Sequence, residues 1–509
     1  MALPPENEKQ PASGSGHEIR QLSVSSSSSD ETAAEGQGSK SSTRGGRYHS
    51  RASRLDDIED VDDTALGRLA SNPTRVRTRS RSRSNLPPPP DGGLQAWLQV
   101  VAGWLVIFAT WGYLNSFGAF QSYYTSGGLP SASPSTISWI GSLQGFLTTA
   151  LGTFSGRLLD AGFFRPTFAV GAALQLAGIF AMSASDNPQY WQLLITQGIL
   201  TGIGGGILFT PTLGLVATWF GRRRGFAIGL ATLGNSTGGI LYPVIVRQLL
   251  PKIGFAWTAR VLGLVNLICY AIALVLMRSR LPPRRSGALV DWSAFKEPVY
   301  VLYIVGMFLF VWASYYLFYY VSFHCGSLFL TTMRRRAFSI ISSITGHVLG
   351  LSYSEASFLI MVINGAGLPA RVLMPMLADK IGALNVITMC TLSISVIVFC
   401  WFAVSNVPGF YVFTAFCGLV SGATQSLMPT TIASITKRLD TVGTRMGMCF
   451  SIISFASLTG PPIGGALQSA MKGSFTGAQV WAAVSTLGAG LCLLGARFYQ
   501  AQGKIKVKC

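Results

Sequence analysis

The sequence predicts an all-α membrane protein: twelve transmembrane helices arranged as two six-helix, pseudo-symmetric bundles. Three observations predict it. Hydrophobic residues make up 49% of the 509 residues and charged residues only 12%, about half the charged fraction of an ordinary soluble domain. From Trp97 onward the chain is a succession of apolar runs, each near the ~20 residues needed to cross ~30 Å of hydrocarbon. The two halves of that region also repeat one another at a nearly constant offset. Backbone in lipid must satisfy its own hydrogen bonds, so runs of this number and length read as spanning helices.

In chain order, residues 1–90 are expected to form a disordered cytoplasmic tail. Serine, glycine, proline and charge dominate it, as in 23–30 (SVSSSSSD) and 39–46 (SKSSTRGG). Such a segment buries too little apolar surface to offset its ordering entropy. It has no early apolar run and so no cleavable signal. The run 75–84 (RVRTRSRSRS) reads as a juxtamembrane basic segment facing anionic lipid and open to a kinase at its serines, rather than as an RNA-binding stretch. The spans follow at 97–121, 137–156, 166–185, 190–213, 225–249, 257–278, 299–322, 354–377, 383–404, 409–432, 444–469 and 478–498. They divide into a first bundle (91–280), a cytoplasmic linker (281–298), a second bundle (299–500) and a short cytoplasmic tail (501–509).

Charge sets the orientation. The net charge is +19. The first 90 residues hold 13 basic and 12 acidic residues, and the rest holds 26 basic and 8 acidic. A surplus of this kind suggests either nucleic acid or a membrane surface. Its placement selects the membrane, with no nucleic-acid partner. Arg157, Arg165, Arg222, Arg223, Arg224, Arg278, Arg280, Arg284, Arg285, Lys296, Lys380, Lys437, Arg438 and Arg445 all fall in even-to-odd connections. By the positive-inside rule these connections and both termini are cytoplasmic. The eight cysteines form no CxxC and no Cys/His pair at zinc spacing, so no metal site and no cofactor is expected.

Gly204 and Gly422 differ by 218 positions, as do Pro211 and Pro429, Gly229 and Gly447, and Pro243 and Pro461, while Asp160 and Asp379 differ by 219. A parallel repeat of six helices per half is the layout of major facilitator transporters, with substrate bound near the midplane between halves that rock for alternating access.

Two loops carry a matching resemblance. Pro375-Met-Leu377-Ala378-Asp379-Lys380-Ile-Gly382 resembles the major facilitator motif G-x-L-A-D-[RK]-x-G, with Pro375 in place of the first glycine. Gly156-Arg-Leu158-Leu-Asp160-Ala-Gly162, followed by Arg165, is the first-half version. An aspartate at a cytoplasmic helix end can bond arginines and helix N-termini of the other bundle. Gly156, Asp160, Arg165, Asp379, Lys380 and Gly382, with Arg224 and Arg445, are therefore expected to form a gating latch. Asp91-Gly92-Gly93-Leu-Gln-Ala96-Trp97 and Trp219-Phe220-Gly221-Arg222-Arg223-Arg224-Gly225 resemble fungal monocarboxylate-transporter-like proteins, as do Asp440-Thr-Val-Gly443-Thr-Arg445 and Leu458-Thr-Gly460-Pro461-Pro462. The resemblance covers residues 91–509. It implies a secondary transporter in the plasma membrane that needs no oligomer. The proton-coupled lactate carriers of that family have a lysine where this chain has Asn115, and an aspartate where it has Gly367, four residues before Arg371. Proton-coupled lactate transport does not carry over.

The substrate candidates follow from polarity inside the spans. An ionisable group there is costly and marks function by default. Arg371, eight residues and about 12 Å of helix from Asp379, is the expected contact for a substrate anion. Asn115, Gln144 and Asn364 are further polar candidates. Trp312, Tyr316 and Tyr319 share a helix face expected to line a cavity for an aromatic cargo. Gly202-Ile-Gly204-Gly205-Gly206 reads as close helix packing, not phosphate binding, and the sequon at Asn235 lies inside a span and is expected to be unused.

The segment 322–345 is anomalous. It would place Arg334, Arg335 and Arg336 outside, and Val321-Ser322 can be encoded by the splice-donor sequence GTAAGT, so the segment reads as a retained intron or, alternatively, as a real outer loop with a short apolar patch. The expected function is export of a small organic acid or secondary metabolite by alternating access. The alternatives are uptake of monocarboxylates or riboflavin-like nutrients, and a transporter-like sensor signalling through its tail.

Overall fold

A computed structural model describes residues 89–124, 129, 134–184, 188–283, 289–337, 353–404, 406–471 and 476–502. The expected tails (1–88 and 503–509), the linker residues 284–288 and the second part of the anomalous segment (338–352) lie outside the described residues. All regular structure among the described residues is helical.

The helices are α1 (Leu94–Asn115, continued by Phe117–Tyr123), α2 (Pro134–Ala150, continued by Gly152–Asp160) and α3 (Phe164–Met182). Then come α4 (Thr201–Trp219, led in by Tyr190–Leu193 and a π-helical turn Leu194–Leu200) and the long helix Arg224–Leu276. The second half holds α7 (Pro298–Ala337), α8 (Tyr353–Ile381), α9 (Ala383–Cys400), α10 (Val407–Ile435), α11 (Val442–Ala470) and α12 (Thr476–Ala501). Ten helices among the described residues are long and apolar enough to cross a membrane.

Two local features separate that number from twelve. The helix Arg224–Leu276 has 53 residues and a non-helical residue inside it, Gly254 at φ 76°. At 1.5 Å per residue it would span about 80 Å, over twice the hydrocarbon thickness. Its limbs 224–253 and 255–276 are labelled α5 and α6. The second span is interrupted at Leu151, which leaves pieces of 17 and 9 residues.

α7 corrects an expectation. It does not end near residue 322 but continues as helix to Ala337, 40 residues in all. The added stretch SFHCGSLFLTTMRRRA contains no proline, so nothing covalent stops the helix there.

Within the first half, α1 packs on the α5–α6 limbs and α3 on α4. In the second, α8 packs on α10, and α7 and α9 on α12. The halves meet along two pairs, α5 with α8 and α2 with α11. Under the internal repeat, α2 corresponds to α8 and α5 to α11, so the two contacts are equivalent. The outer surface is apolar: Val275, Val396, Leu491 and Phe498 are each more than half exposed. That is the arrangement of a helix bundle whose solvent is lipid.

The α2–α11 crossing is built on absent side chains. A Cβ at Gly156 would lie 2.1 Å from the Gly443 carbonyl oxygen, and one at Gly447 would lie 2.0 Å from that of Gly152. Gly156→Val is expected to destabilise the protein by about 1–3 kcal/mol, the usual cost of overpacking. Gly145→Ala, whose Cβ meets only Leu114 at 4.0 Å, is expected to be neutral. Thermal unfolding of the purified variants in detergent checks both; a neutral Gly156→Val would contradict the crossing.

Candidate functional site

Arg371 lies on α8 with 3% of its surface exposed. Its Nη2 donates to Gln425 Oε1 of α10 at 2.9 Å. The same amide oxygen accepts from Asn235 Nδ2 of α5 at 3.5 Å, and Asn235 Oδ1 accepts from Asn115 Nδ2 of α1 at 3.0 Å. Four side chains thus form a polar bridge from the first half to the second. Asn364 joins its edge: a Cβ at Gly239 would lie 3.0 Å from both the Asn115 and the Asn364 amide nitrogens. The Arg371 carbonyl is also held, by Ser426 Oγ at 3.0 Å, and Ser426 meets Thr232 of α5 at 2.8 Å.

Among the described residues the guanidinium has no counter-ion. Three ion pairs occur among the described residues, and none includes Arg371. Its Nε is buried without a hydrogen-bond partner. A Cβ at Gly367 would lie 3.0 Å from the Gly418 carbonyl oxygen of α10. α10 therefore occupies the ground on which a side-chain carboxylate at that position would need to stand. A buried cation satisfied only by a neutral amide retains most of its attraction for an anion.

Sequence reasoning missed three residues here. In the sequence Asn235 stands out only as a sequon inside a span, and Gln425 belongs to no motif. Trp111 stands one helical turn before Asn115, and its indole N–H is buried without a partner. Its ring packs edge-on against Phe209 at 5.2 Å, and Phe209 meets Phe450 of α11 at 5.0 Å. The repeat held a usable signal: at the offsets of 219, 218 and 218, Arg371, Gln425 and Asn235 correspond to Gly152, Ile207 and Ile453. Each bridge residue is polar where the other half is not.

Other candidates are placed elsewhere. Gln144 is buried in the α2–α4 packing, where a Cβ at Gly202 would lie 3.1 Å from its Cα. Tyr316 is placed away from the polar bridge. It is fully buried within its own bundle, with Trp401 at 6.3 Å, Trp481 at 5.8 Å and α11's Gly464 against the ring. Trp312 lies against Trp481 at 5.0 Å and donates to Thr459 Oγ1 at 3.0 Å. Trp312 and Tyr316 share a face, which packs against α11, α12 and Trp401 just after α9. The Tyr319 side chain lies outside the described residues.

The loop aspartates sit at the helix end that carries the basic connections. Asp160 accepts from Gly443 N at 3.1 Å, Thr444 N at 2.7 Å and Thr444 Oγ1 at 2.6 Å, at the N-terminus of α11. Asp379 accepts from Gly225 N at 2.7 Å and Phe226 N at 2.8 Å, at the N-terminus of α5. Each carboxylate thus satisfies orphan N–H groups and the positive dipole end of a helix in the opposite half. Gly156 allows the first approach, and Gly382, at φ 104°, turns the chain after the second. Arg224 ties α5 to α10 through the Ala433 carbonyl at 2.9 Å. Arg165 and Lys380 are exposed; backbone N–H groups and Thr444 form the cradles.

The same end anchors its loops. Asp91 accepts from Gly221 N and Arg222 N, and Trp97 packs on Phe220 at 5.1 Å, so the D-G-G-x-x-A-W and W-F-G-R-R-R motifs hold one another. Arg445 clamps the linker through Asp291 at 3.0 Å and Glu297 at 2.9 Å. Burial works against ionisation of Asp291, but the Ser293 hydroxyl and Arg445 outweigh it and hold the carboxyl below its ordinary range. Asp440 pairs with Arg438. Six of the eight acids after residue 90 are therefore engaged at one end of the bundle, and none of these six is near Arg371. Of the other two, Glu355 is in the first turn of α8, sixteen residues and about 24 Å of helix from Arg371, and Asp186 lies outside the described residues.

A helical membrane body in two repeated halves, joined through a polar midsection and latched at one end, is the architecture of a transporter. The Major Facilitator Superfamily profile matches residues 94–329 and 324–502. The chain belongs to that family; it is a multi-pass membrane transporter and not an enzyme. It is 40% identical over 397 residues to an MFS-type transporter of Gibberella zeae, covering 78% of this chain and 85% of that one. It is 36% identical over 404 residues to MFS-type transporter dbaD of Emericella nidulans, covering 79% and 86%. It is 31% identical over 420 residues to the aspyridones efflux protein apdF of the same organism, covering 82% and 81%. Among solved structures it resembles the human organic anion transporter MFSD10 (TETRAN), with a TM-score of 0.59 over 80% of this chain and all of that one, at 13% identity. That likeness concerns the fold.

Proposed function

We propose that this transporter exports an acidic small organic molecule, of the secondary-metabolite kind, across the plasma membrane by alternating access, with both termini cytoplasmic. The observation that carries the proposal is the buried Arg371 guanidinium at the junction of the halves, bonded to a neutral amide and, among the described residues, to no carboxylate. An anion is the natural complement of that site. The similarity to an aspyridones efflux protein supports the direction.

Charge accounting supports it too. With no carboxylate beside Arg371 to bring a compensating proton, an anionic cargo crosses with its charge. An inside-negative membrane potential then drives it outward, by about 2.3 kcal/mol per elementary charge for every 100 mV. On this reading the carboxylates at the cytoplasmic end are gates, and their hydrogen bonds to the opposite half support it.

Metabolite profiling of cells and medium after gene deletion tests the proposal. The expected result is an acidic product that accumulates in cells and falls in the medium, restored by the wild-type gene but not by Arg371→Ala. An unchanged medium, or a loss of uptake in its place, would contradict it.

A further inference from the structure

We propose that Gln425 is a stand-in for the cargo: its amide oxygen holds Arg371 while the site is empty and gives way to the cargo's carboxylate, and that exchange opens the polar bridge between the halves. The inference rests on the reading of Arg371 as the anion-binding group.

The geometry of the guanidinium leads to it. Nε and Nη2 form the side-on edge of an arginine, two parallel donors that match the two oxygens of a carboxylate. Here Nη2 is occupied by Gln425 Oε1 at 2.9 Å, while Nε is buried and unpartnered. Nε faces Gly422, where even a Cβ would stand 3.5 Å away, so no side chain covers it from α10. Half of the fork is unpartnered and half is held by a neutral acceptor. A carboxylate cannot take both donors unless Gln425 withdraws. It is the stronger competitor, because it brings a full negative charge and two parallel acceptors to the fork, where the amide brings one neutral oxygen.

The withdrawal has a consequence at distance. Gln425 Oε1 is also where the first half reaches across, through Asn235 Nδ2 at 3.5 Å, with Asn115 behind it at 3.0 Å. When Gln425 leaves Arg371, that link loses its acceptor. Cargo binding and release of the halves then become one event, without a proton. Gln425 acts through Arg371 and is a positioning residue.

The test uses the purified full-length transporter in nanodiscs, with benzoate as the probe carboxylate, and reads the dissociation constant. Gln425→Glu supplies a permanent carboxylate to the fork and is expected to weaken benzoate binding about tenfold or more. Gln425→Leu removes the competing acceptor and is expected to tighten it about threefold; Gln425→Met serves if the leucine variant does not fold. Damage to packing would weaken binding in both, so opposite shifts are the signature. If both variants weaken binding, or neither changes it, while Arg371→Ala abolishes it, the stand-in role is wrong and the anion site survives. If wild type ignores benzoate, or Arg371→Ala binds it as wild type does, the reading of Arg371 itself fails.

Discussion

Arg371→Ala is expected to lower transport of the acidic cargo about 100-fold or more, the scale of removing one partner of a buried charge-assisted contact. The residue is buried and meets its neighbours through one side-chain hydrogen bond, to Gln425. A buried charge without a counter-ion costs stability, so deleting it is expected to leave the melting temperature unchanged or raised. That pairing of results separates lost function from lost fold. Arg371→Lys is expected to rescue poorly, because an ammonium is a point charge without the planar fork. Flux assays and thermal unfolding on the same preparations check all three; normal flux in Arg371→Ala would remove the substrate assignment.

The second large effect is expected from the latches taken together. Asp160 accepts three hydrogen bonds from the start of α11, and Asp379 accepts two from the start of α5. Hydrogen bonds to charged groups contribute about 1.5–3 kcal/mol each at most, and moving a two-state equilibrium from 99:1 to 1:99 takes about 5.5 kcal/mol. One latch alone falls near that threshold, and the two together exceed it. Asp160→Ala or Asp379→Ala is therefore expected to retain partial flux, and the double variant to lose it, with the cytoplasmic end resting open. A cysteine at Thr210, which is fully buried beside Gly152, reports this through labelling by a membrane-impermeant maleimide from the cytoplasmic side. Labelling is expected to rise about tenfold or more in the double variant. A double variant that transports and labels like wild type would remove the gating role.

Much of this was legible in the sequence because membranes simplify the code. Most span positions follow from apolar run length, and the loop aspartates from their motif and the 219-residue spacing. Three things were not legible. The end of α7 depends on what stops a helix, and the stretch after residue 322 offers no proline to stop it. The stripe Trp312–Tyr316 shows which residues share a face, but not which neighbour that face meets; packing against Trp401 and Trp481 decided that. The polar bridge joins residues 115, 235, 371 and 425, and no local pattern pairs an asparagine with a glutamine 190 positions away. The polar breaks in the internal repeat were the trace it left. The same reading bears on the surplus of charge: six of the acids hold helix ends and loops together, and no ion pair among the described residues includes the buried arginine.

The central claim is that an anion crosses here without a proton partner. Proteoliposomes loaded with radiolabelled benzoate test it most directly, by imposing a potassium diffusion potential and a pH gradient separately. The account predicts that benzoate efflux follows the potential, faster with the interior negative, and that it ignores the pH gradient at constant benzoate anion concentration. Efflux that follows the pH gradient and ignores the potential would contradict it.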